Sequence, residues 1–559
     1  MSRQNINIVI GGAAGQGLAT IGTLFSKAMT RSGYNVLVLQ KYMSRVRGGH
    51  NTFAVRMGVD EIVSPTDEID ILVALNAETV NLHRGELAED GIIICGDDID
   101  KGDVSGLLIP FNDLASKPLF YNTVALGVLG SVLCQDICYF EQMLSEAFGK
   151  KGNEVVQANL DVLRIAFDWV KAKEAVYDCL PVPQYGENKL MLNGNEAIAM
   201  GALAAGCNFL SFYPMSPSTS IAQTLIGKGR GLGLKYEQVE DEIAAINMAI
   251  GASFAGARPI VTTSGGGFAL MVEGVSLAAV SETPLVTAVV QRPGPATGMA
   301  TRTEQADLNL VLYAGHGEFP RAIFAPATVE ECFYLTHRAF DLAEQYQTPM
   351  FILSDQFLAD SYQSVDVFDL DALPDIAKPM LTVGGGYKRY ELTEDGVSPR
   401  LVPGFCETLV RGDSHEHDEN GRITEDGENR IRQNSKRLVK GCGLWQDVIG
   451  PDYYGEKGAD LVLLCWGTTL GACLEAAEQV DNHSVGVLHF KQVYPLREEQ
   501  FMEFLEEAGE VVAVEGNATG QFARFLAQET GFRVGAYVLR FDGRIMTPQY
   551  VLRGLESIL

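Results

Sequence analysis

Glu242 is the acidic residue of this sequence whose surroundings best suit proton transfer. It closes an acidic run that begins at Glu240 and leads into the apolar stretch AAINMAIGASFAGA. Acids in the first turn of a helix usually complement the helix dipole and face water. The small residues that follow Glu242 instead allow close packing, and a carboxylate held against such a surface has a raised pKa. We therefore expect Glu242 to share a proton with a nitrogen atom of a bound ligand.

A hydroxyl-rich turn and a loop with two arginines together suit the binding of an organic acid. The turn is YPMSPSTS at 213–220, in which two prolines fix the backbone and Ser216 is one of four hydroxyl residues. Such a turn at a helix start binds carboxylates, although a capped helix without a ligand has the same pattern. The loop QRPGPATGMATRTEQADL at 291–308 carries Arg292 and Arg302. Guanidinium groups bind carboxylates, whereas one arginine taken singly is ordinarily a solvent-facing residue.

A glycine-rich turn, GGAAGQG at 11–17, follows the first strand pattern and precedes a helix pattern. Its backbone N–H groups at a helix start would suit a phosphate, and tight packing alone is the open alternative. Its spacing differs from the dinucleotide fingerprint, and we expect no NAD. Arg45 and Arg47, beside two glycines, suit either phosphates or a subunit contact. The candidate phosphate or coenzyme A contacts are Gly12, Gly15, Gly17, Arg45 and Arg47.

The order of strand and helix patterns around these residues predicts an α/β protein with three α/β domains. Strand and helix patterns alternate in three segments, which is typical of parallel sheets. Strand patterns include INIVIGG, NVLVLQ, ILVAL and GIIIC, then RPIVTTSG, PLVTAVVQ, RAIFAPA and PMFILSD, then LVLLCWG, VGVLHF and EVVAVEG. The predicted domains are residues 1–180, 190–375 and 456–559. The polar stretch 376–455 is interpreted as an ordered excursion, with disorder as the alternative.

Composition excludes several classes of function. The 559 residues carry a net charge of −28 and contain no run of Lys or Arg, which argues against nucleic acid. The longest apolar stretch, Ile243–Ala257, is interrupted by Asn247 and is too short for a bilayer. The N-terminus shows no signal peptide, and we expect a cytoplasmic protein. Ten cysteines include no CxxC pair, so we expect separate thiols, no metal on this chain, and any redox centre on another chain.

These motifs together resemble the α subunit of the 2-oxoacid:acceptor (ferredoxin) oxidoreductases, the family of pyruvate and 2-oxoglutarate synthases. YPMSPSTS is similar to the family's YPITPS motif, and the loop at 291–308 is similar to QRxGPSTGxPTRTEQxDL. GGAAGQG and RVRGGHNT resemble the family's γ subunit, here fused ahead of α. The resemblance covers nearly the whole chain. It implies an N-terminal γ-type domain, a domain that binds the pyrimidine of thiamine diphosphate, and a small transketolase-like C-terminal domain.

The resemblance also implies a reaction and its participants. A 2-oxoacid is oxidatively decarboxylated with coenzyme A, and ferredoxin accepts the electrons. A β subunit is expected to hold the diphosphate of the cofactor, Mg²⁺ and a [4Fe–4S] cluster, in a dimer of α–β heterodimers. Glu242 is expected to hydrogen-bond the aminopyrimidine ring of the cofactor and to promote its proton transfer. Substrate binding is expected at Ser216, Pro217, Arg292 and Arg302, and cofactor contacts at Tyr213, Pro214, Gly265 and Gly266.

Departures from the family pattern leave the choice of 2-oxoacid open. Ser216 replaces the usual Thr. Residues 264–267, which end at Gly267, are SGGG where the family has SGPG, so a proline is lost. Ala296 and Ala300 replace a Ser and a Pro. Each change in the loop is expected to loosen it. We favour 2-oxoglutarate, with pyruvate and branched-chain or aryl 2-oxoacids as alternatives. A non-enzymatic regulator that binds coenzyme A or a nucleotide, and a stand-alone thiamine-dependent enzyme, are the alternatives from other classes.

Overall fold

The computed structural model describes residues 4–13, 16–42, 49–175, 177, 179–183, 189–405 and 407–558. The chain divides into two compact units. One comprises Met1–Leu192 with Ser361–Val367, and the other comprises Asn193–Asp360 with Phe368–Leu559. No helix of the described residues is long and apolar enough to cross a membrane.

The first unit is built on a mixed sheet with helices packed against it. Its core contains strand residues such as Ile8, Ile10 and Val38 together with helix residues such as Phe25 and Phe167. The elements in chain order are β1 (Asn5–Ala13), α1 (Leu18–Arg31), β2 (Asn35–Lys41), β3 (His50–Gly58), β4 (Ile69–Ala74), α2 (Ala77–His83), β5 (Leu87–Gly96), β6 (Gly106–Ile109), α3 (Phe111–Leu114), α4 (Tyr121–Val132), α5 (Ile137–Phe148), α6 (Asn153–Ala172) and β7 (Leu190–Asn193).

This first sheet is not wholly parallel, which the sequence patterns did not predict. The strand order is β6-β5-β4-β1-β3-β2, continued by the later strand Tyr362–Val365 and then β7. β3 runs antiparallel to both β1 and β2, while β1, β4, β5 and β6 are mutually parallel. The register pairs Ala13 with His50, so the end of β1 lies beside the start of β3. β3 was missed because its polar opening, HNT, does not show an apolar run.

The second unit contains two sheets. Its elements as far as the excursion are α7 (Gly194–Ala204), β8 (Phe209–Phe212), α8 (Thr219–Gly229), β9 (Lys235–Gln238), α9 (Glu242–Phe254), β10 (Pro259–Thr263), α10 (Gly265–Val280), β11 (Leu285–Gln291), α11 (Leu308–Leu312), β12 (Ala322–Phe324), α12 (Val329–Tyr346), β13 (Pro349–Asp355) and α13 (Gln356–Asp360). After β14 (Tyr362–Val365), which belongs to the first unit, come α14 (Gly427–Gln446), β15 (Asp452–Tyr454), β16 (Leu461–Trp466), α15 (Leu470–Ala477), β17 (Val485–Phe490), β18 (Gln492–Tyr494), α16 (Met502–Glu506), β19 (Glu510–Glu515), α17 (Gln521–Thr530), β20 (Ala536–Leu539) and α18 (Pro548–Glu556).

The larger sheet of this unit has the order β18-β12-β13-β11-β10-β8-β9, and its strands are parallel except for β18. Every residue of β10, β11 and β13 is buried, as expected for strands covered by helices on both faces. The smaller sheet has the order β15-β17-β16-β19-β20, parallel apart from β15. These sheets confirm the predicted α/β class with parallel-sheet domains.

The polar stretch after β14 contains the twenty-residue helix α14, which the sequence analysis did not predict. Two buried lysines of α14 pack on Glu282: Lys436 Nζ lies 2.6 Å and Lys440 Nζ 2.5 Å from its carboxylate. All three side chains are almost completely buried. The helix is therefore held by charge pairing as well as by apolar contacts, and this is why apolar periodicity does not reveal it.

The expectation of ten separate thiols is wrong for one pair. Cys134 and Cys179 form a disulfide within the first unit, although 45 residues separate them in sequence. Cys138 and Cys442 are exposed thiols, whereas Cys95, Cys207, Cys332, Cys465 and Cys473 are buried. Sequence spacing could not reveal the bridge, because pairing depends on which cysteines the fold brings together.

Candidate active site

The predicted site residues of the second unit, apart from Arg302, follow the carboxyl ends of neighbouring parallel strands. The turn at 213–217 follows β8, Glu242 begins the helix after β9, the glycines 265–267 follow β10, and Arg292 follows β11. Because β11, β10, β8 and β9 are consecutive in the sheet, these four ends lie along one edge. Ligands of parallel α/β sheets bind at this edge. The topology thus brings together segments that are up to 79 residues apart between Tyr213 and Arg292.

Glu242 is the first residue of α9, and only 4% of it is exposed. The helix is capped by the preceding residue, Asp241, whose Oδ1 accepts a 2.8 Å hydrogen bond from the N–H of Ala244. Glu242 is consequently not needed as a cap. Within the described part of the chain, its carboxylate forms no side-chain hydrogen bond or ion pair. A buried carboxylate without a partner is costly, so a ligand that donates a hydrogen bond to it would relieve that cost.

The carboxylate of Glu242 packs closely against the glycine turn that follows β10. A Cβ atom on Gly267 would lie 2.6 Å from Glu242 Oε1 and 2.3 Å from Thr263 Oγ1, so only glycine fits beneath this carboxylate. Among the described atoms, the hydroxyls of Thr262 and Ser264 are buried without a hydrogen-bond partner. An aminopyrimidine ring is flat and carries N–H donors. The Glu242 carboxylate could accept a hydrogen bond from such a donor, and the glycine turn 265–267 has no side chains to obstruct a flat ring. The residues present therefore fit thiamine diphosphate.

The hydroxyl groups of the turn at 213–220 differ in their hydrogen-bond partners. Ser218 Oγ donates to the carbonyl of Met215 at 2.8 Å, and Ser220 Oγ accepts from Asn195 Nδ2 at 2.7 Å. These two hydroxyls therefore shape the turn. Ser216, in contrast, is exposed, and Pro217 after it is buried. Tyr213 and Pro214 are exposed beside Ser216.

Arg292 is brought directly to this turn, whereas Arg302 lies in a different environment. Arg292 Nη1 donates a 2.6 Å hydrogen bond to the carbonyl oxygen of Ser216. Arg302 Nη1 donates to the carbonyl of Thr301 at 2.8 Å, and its Cβ would lie 3.1 Å from a Cβ placed on Gly543. The loop between the arginines is compact. A Cβ on Gly298 would lie 1.7 Å from the carbonyl oxygen of Pro293, so this position requires glycine.

Asp307 is a candidate site residue that the sequence analysis did not single out. Its carboxylate lies so close to Gly265 that a Cβ there would be 2.2 Å from Asp307 Oδ2, and this oxygen is buried without a hydrogen-bond partner. Burial raises the pKa of Asp307 to about 6, while the Arg292 guanidinium acts in the opposite direction. Gly265 is buried and Gly266 is exposed. The signal available in the sequence was its position, directly before the apolar helix α11 at the end of the arginine loop.

The glycine turn of the first unit is partly occupied by its own side chains. Gln16 Oε1 accepts a 2.6 Å hydrogen bond from the N–H of Ala13, and a Cβ on Gly12 would lie 2.8 Å from this oxygen. Gly17 has φ of +80° and directly precedes α1 as its N-cap. Gly15, Arg45 and Arg47 lie outside the described residues. Side chains lie close to Gly12 and Gly17, and phosphate binding at this turn stays a prediction.

A pair of histidines lies next to the same turn and was not identified from sequence. His50 Nε2 and His83 Nε2 are 2.7 Å apart, and His83 Nδ1 is 2.6 Å from a carboxylate oxygen of Glu86. His50 Cε1 would lie 3.2 Å from a Cβ on Gly11. Burial and the neighbouring His83 lower the pKa of His50. These three residues form a hydrogen-bonded chain that the register between β1 and β3 places beside the glycines.

Comparison with known proteins assigns each segment. Residues 200–436 match the family described as pyruvate flavodoxin/ferredoxin oxidoreductase, thiamine diphosphate-binding. Residues 7–169 match pyruvate ferredoxin/flavodoxin oxidoreductase, and residues 454–551 match the transketolase C-terminal domain. Together with the partnerless Glu242 at the edge of the parallel sheet, these matches define the class as thiamine-diphosphate-dependent oxidoreductases.

Relatives along the whole chain define the family. A 2-oxoacid:ferredoxin oxidoreductase subunit alpha from Sulfolobus sp is 30% identical over 96% of this chain and 94% of its own. A 2-oxoglutarate synthase subunit KorA from Archaeoglobus fulgidus is 31% identical over 66% of this chain and 99% of its own. The solved 2-oxoglutarate:ferredoxin oxidoreductase of Magnetococcus marinus, with 2-oxoglutarate, coenzyme A and succinyl-CoA bound, is 29% identical, has a TM-score of 0.93 and covers 99% of both chains. The chain belongs to the family of 2-oxoacid:ferredoxin oxidoreductase α subunits.

Proposed function

We propose that this chain is the substrate-binding subunit of a 2-oxoglutarate:ferredoxin oxidoreductase that forms succinyl-CoA. The observation that carries the proposal is the buried, partnerless carboxylate of Glu242 above Gly267. Thiamine diphosphate, when bound, would supply the electron sink that decarboxylation of a 2-oxoacid requires. Glu242 would hold the aminopyrimidine ring and exchange a proton with its ring nitrogen.

The Ser216 hydroxyl and the two arginines would hold the carboxylates of the substrate. The hydrogen bond from Arg292 to the Ser216 carbonyl supports this proposal, because it would leave the other N–H groups of Arg292 to bind a substrate carboxylate. A second cation, Arg302, in the same loop favours a dicarboxylic acid such as 2-oxoglutarate over pyruvate. The substrate named for the Magnetococcus marinus relative supports this choice. Tyr213, Pro214, Pro217, Gly265 and Gly266 would line the same site.

The other participants are also part of the proposal. A β subunit would hold the diphosphate, Mg²⁺ and a [4Fe–4S] cluster, and ferredoxin would accept the electrons. The assembly would be a dimer of α–β heterodimers. Coenzyme A would take up the acyl group, with Gly12, Gly15, Gly17, Arg45 and Arg47 as candidate phosphate contacts. The coenzyme A and succinyl-CoA named for the Magnetococcus marinus structure support this part.

Production of the chain alone and together with a β-type partner tests the proposal. We expect the chain alone to contain no iron and to be inactive, and the complex to be brown and to reduce ferredoxin. A panel of 2-oxoglutarate, pyruvate, 2-oxoisovalerate and phenylpyruvate, each with and without coenzyme A, should give the highest kcat/KM for 2-oxoglutarate. Higher kcat/KM for pyruvate would refute the substrate assignment. Turnover by the chain alone would refute the division between subunits.

A further inference from the structure

His489 is a buried imidazole without a hydrogen-bond partner. It lies in β17 of the smaller sheet and is fully inaccessible to solvent. Among the described residues, neither its Nδ1 nor its Nε2 has a hydrogen-bond partner. An imidazole nitrogen without a partner can bind a metal ion.

Two carboxylates face this imidazole from different elements. Asp452 of β15 is directly opposite His489 in the antiparallel pairing of β15 with β17. Glu331 lies in the first turn of α12, where its Oε2 accepts a 2.7 Å hydrogen bond from the N–H of Ala327. One ligand atom from each of Glu331, Asp452 and His489 lies within 4.8 Å of the other two. This spacing needs only a small closure to bring all three atoms onto one ion.

We propose that Glu331, Asp452 and His489 form a site for one divalent transition-metal ion of the Zn²⁺ type. One imidazole nitrogen and two carboxylate oxygens are a ligand set that Zn²⁺ accepts, with water completing the tetrahedron. Mg²⁺ and Ca²⁺ prefer oxygen ligands alone, so the imidazole disfavours both. The ion would cross-link α12, which packs on the larger sheet, to β15 and β17 of the smaller sheet. This proposal departs from the sequence expectation that the chain holds no metal, which rested on the absence of clustered thiolates.

Lys491 should lower the affinity of this site for a metal ion, because its ammonium group already pairs with Asp452. Its Nζ lies 2.7 Å from Asp452 Oδ2 and neutralises that carboxylate. An incoming cation must share Asp452 with this ammonium group or displace it. Removal of the ammonium should therefore strengthen metal binding, whereas removal of any of the three ligands should weaken it.

Zinc binding to the full-length chain tests the proposal. The chain is stripped with a chelator, dialysed against Zn²⁺, and analysed for bound zinc, with Co²⁺ absorption as a second probe of tetrahedral coordination. We expect one Zn²⁺ per chain and a Kd raised at least about tenfold by Asp452→Asn, Glu331→Gln or His489→Gln. Glu330→Gln is the matched control on the same turn of α12 and should bind as the unaltered chain does. Lys491→Met should lower the Kd.

The outcomes are decisive even if the buried histidine variant fails to fold. Asp452 has a side chain that is 39% exposed, so Asp452→Asn should keep the circular dichroism spectrum of the unaltered chain. If that variant binds zinc unchanged, the ion lies elsewhere and the proposal is wrong. Failure of the unaltered chain to retain zinc or cobalt would overturn it as well. Because metal content and not turnover is measured, the result is independent of the proposed enzymatic function.

Discussion

The Nη1 atom of Arg292 donates a 2.6 Å hydrogen bond to the carbonyl oxygen of Ser216. Arg292 follows β11 and Ser216 follows β8, and β10 lies between these two strands, so the contact spans the end of β10. The bond uses the backbone of Ser216 and not its hydroxyl. The two residues can therefore be altered separately, because Ser216→Ala removes the hydroxyl and keeps the carbonyl.

Arg292→Met should raise the KM for the 2-oxoacid about tenfold or more, since hydrogen bonds to charged groups contribute roughly 1.5–3 kcal/mol. Ser216→Ala should raise KM only about threefold, because a neutral hydrogen bond contributes about 1 kcal/mol or less. Steady-state kinetics of the complex measures both values. Arg258→Met serves as an arginine control, since Arg258 pairs with Glu344 away from this sheet edge. Unchanged KM in Arg292→Met would assign the substrate carboxylate to Arg302 instead.

Glu242→Gln should lower kcat by about 100-fold or more, the usual contribution of a positioned acid–base group. The amide is nearly the same size as the carboxyl group, so assembly and thermal stability should be retained. Glu240→Gln, an exposed residue two positions earlier, provides the charge-matched control and should leave kcat unchanged. Near-normal turnover in Glu242→Gln would contradict the assignment of Glu242 to the cofactor.

Glu282→Gln should destabilise the second unit by about 3–5 kcal/mol at pH 7, because it leaves the buried Lys436 and Lys440 without their anion. Burial alone would raise the pKa of Glu282, but Lys440, Lys436 and Arg389 outweigh it and lower this pKa to about 2. A lowered carboxyl pKa contributes stability above the unfolded value of about 4.5, and this contribution is lost as pH falls toward 2.

Urea unfolding of both proteins between pH 7 and pH 3 measures this effect. The difference between the unaltered chain and Glu282→Gln should be largest at pH 7 and should shrink below about pH 4.5. Glu273→Gln, an exposed acid in α10, which ends two residues before Glu282, should show little difference at any pH. A difference that does not change with pH would mean that packing, and not charge, accounts for the loss.

Asp307→Asn should have the opposite pH dependence. Burial raises the pKa of Asp307 to about 6, above its ordinary value of 3.8, so ionisation is disfavoured in the folded chain. The folded chain then binds more protons than the unfolded chain between about pH 4 and pH 6, and its stability falls as pH rises through this window. Asp307→Asn has no carboxyl group to ionise and therefore avoids this loss of folding stability, which amounts to up to about 3 kcal/mol. The advantage of Asp307→Asn should thus grow from pH 4 to pH 6 and then level off, whereas exposed Asp375→Asn should show no such trend. An equal stability difference between Asp307→Asn and the unaltered chain at pH 4 and pH 7 would refute this prediction.

Sequence alone predicted most of the parallel strands, because buried parallel strands are near-continuous apolar runs. PIVTT, LVTAVVQ and PMFILSD were recognised in this way. It missed β3 and α14, whose positions depend on pairing with β1 and β2 and on the buried charge of Glu282. Neither strand pairing nor charge pairing between distant residues leaves a local periodic pattern.

The sequence by itself determined the α/β class, the family resemblance and the segments of the candidate site, since these depend on local patterns and motifs. Only the tertiary structure decided which groups meet. It placed Arg292 on Ser216, turned two of the neighbouring hydroxyls inward, left Glu242 without a partner, and brought Glu331 to Asp452 and His489. The physical reason is that strand order and helix packing fix the distances between residues far apart in sequence, and hydrogen bonds and metal coordination depend on those distances.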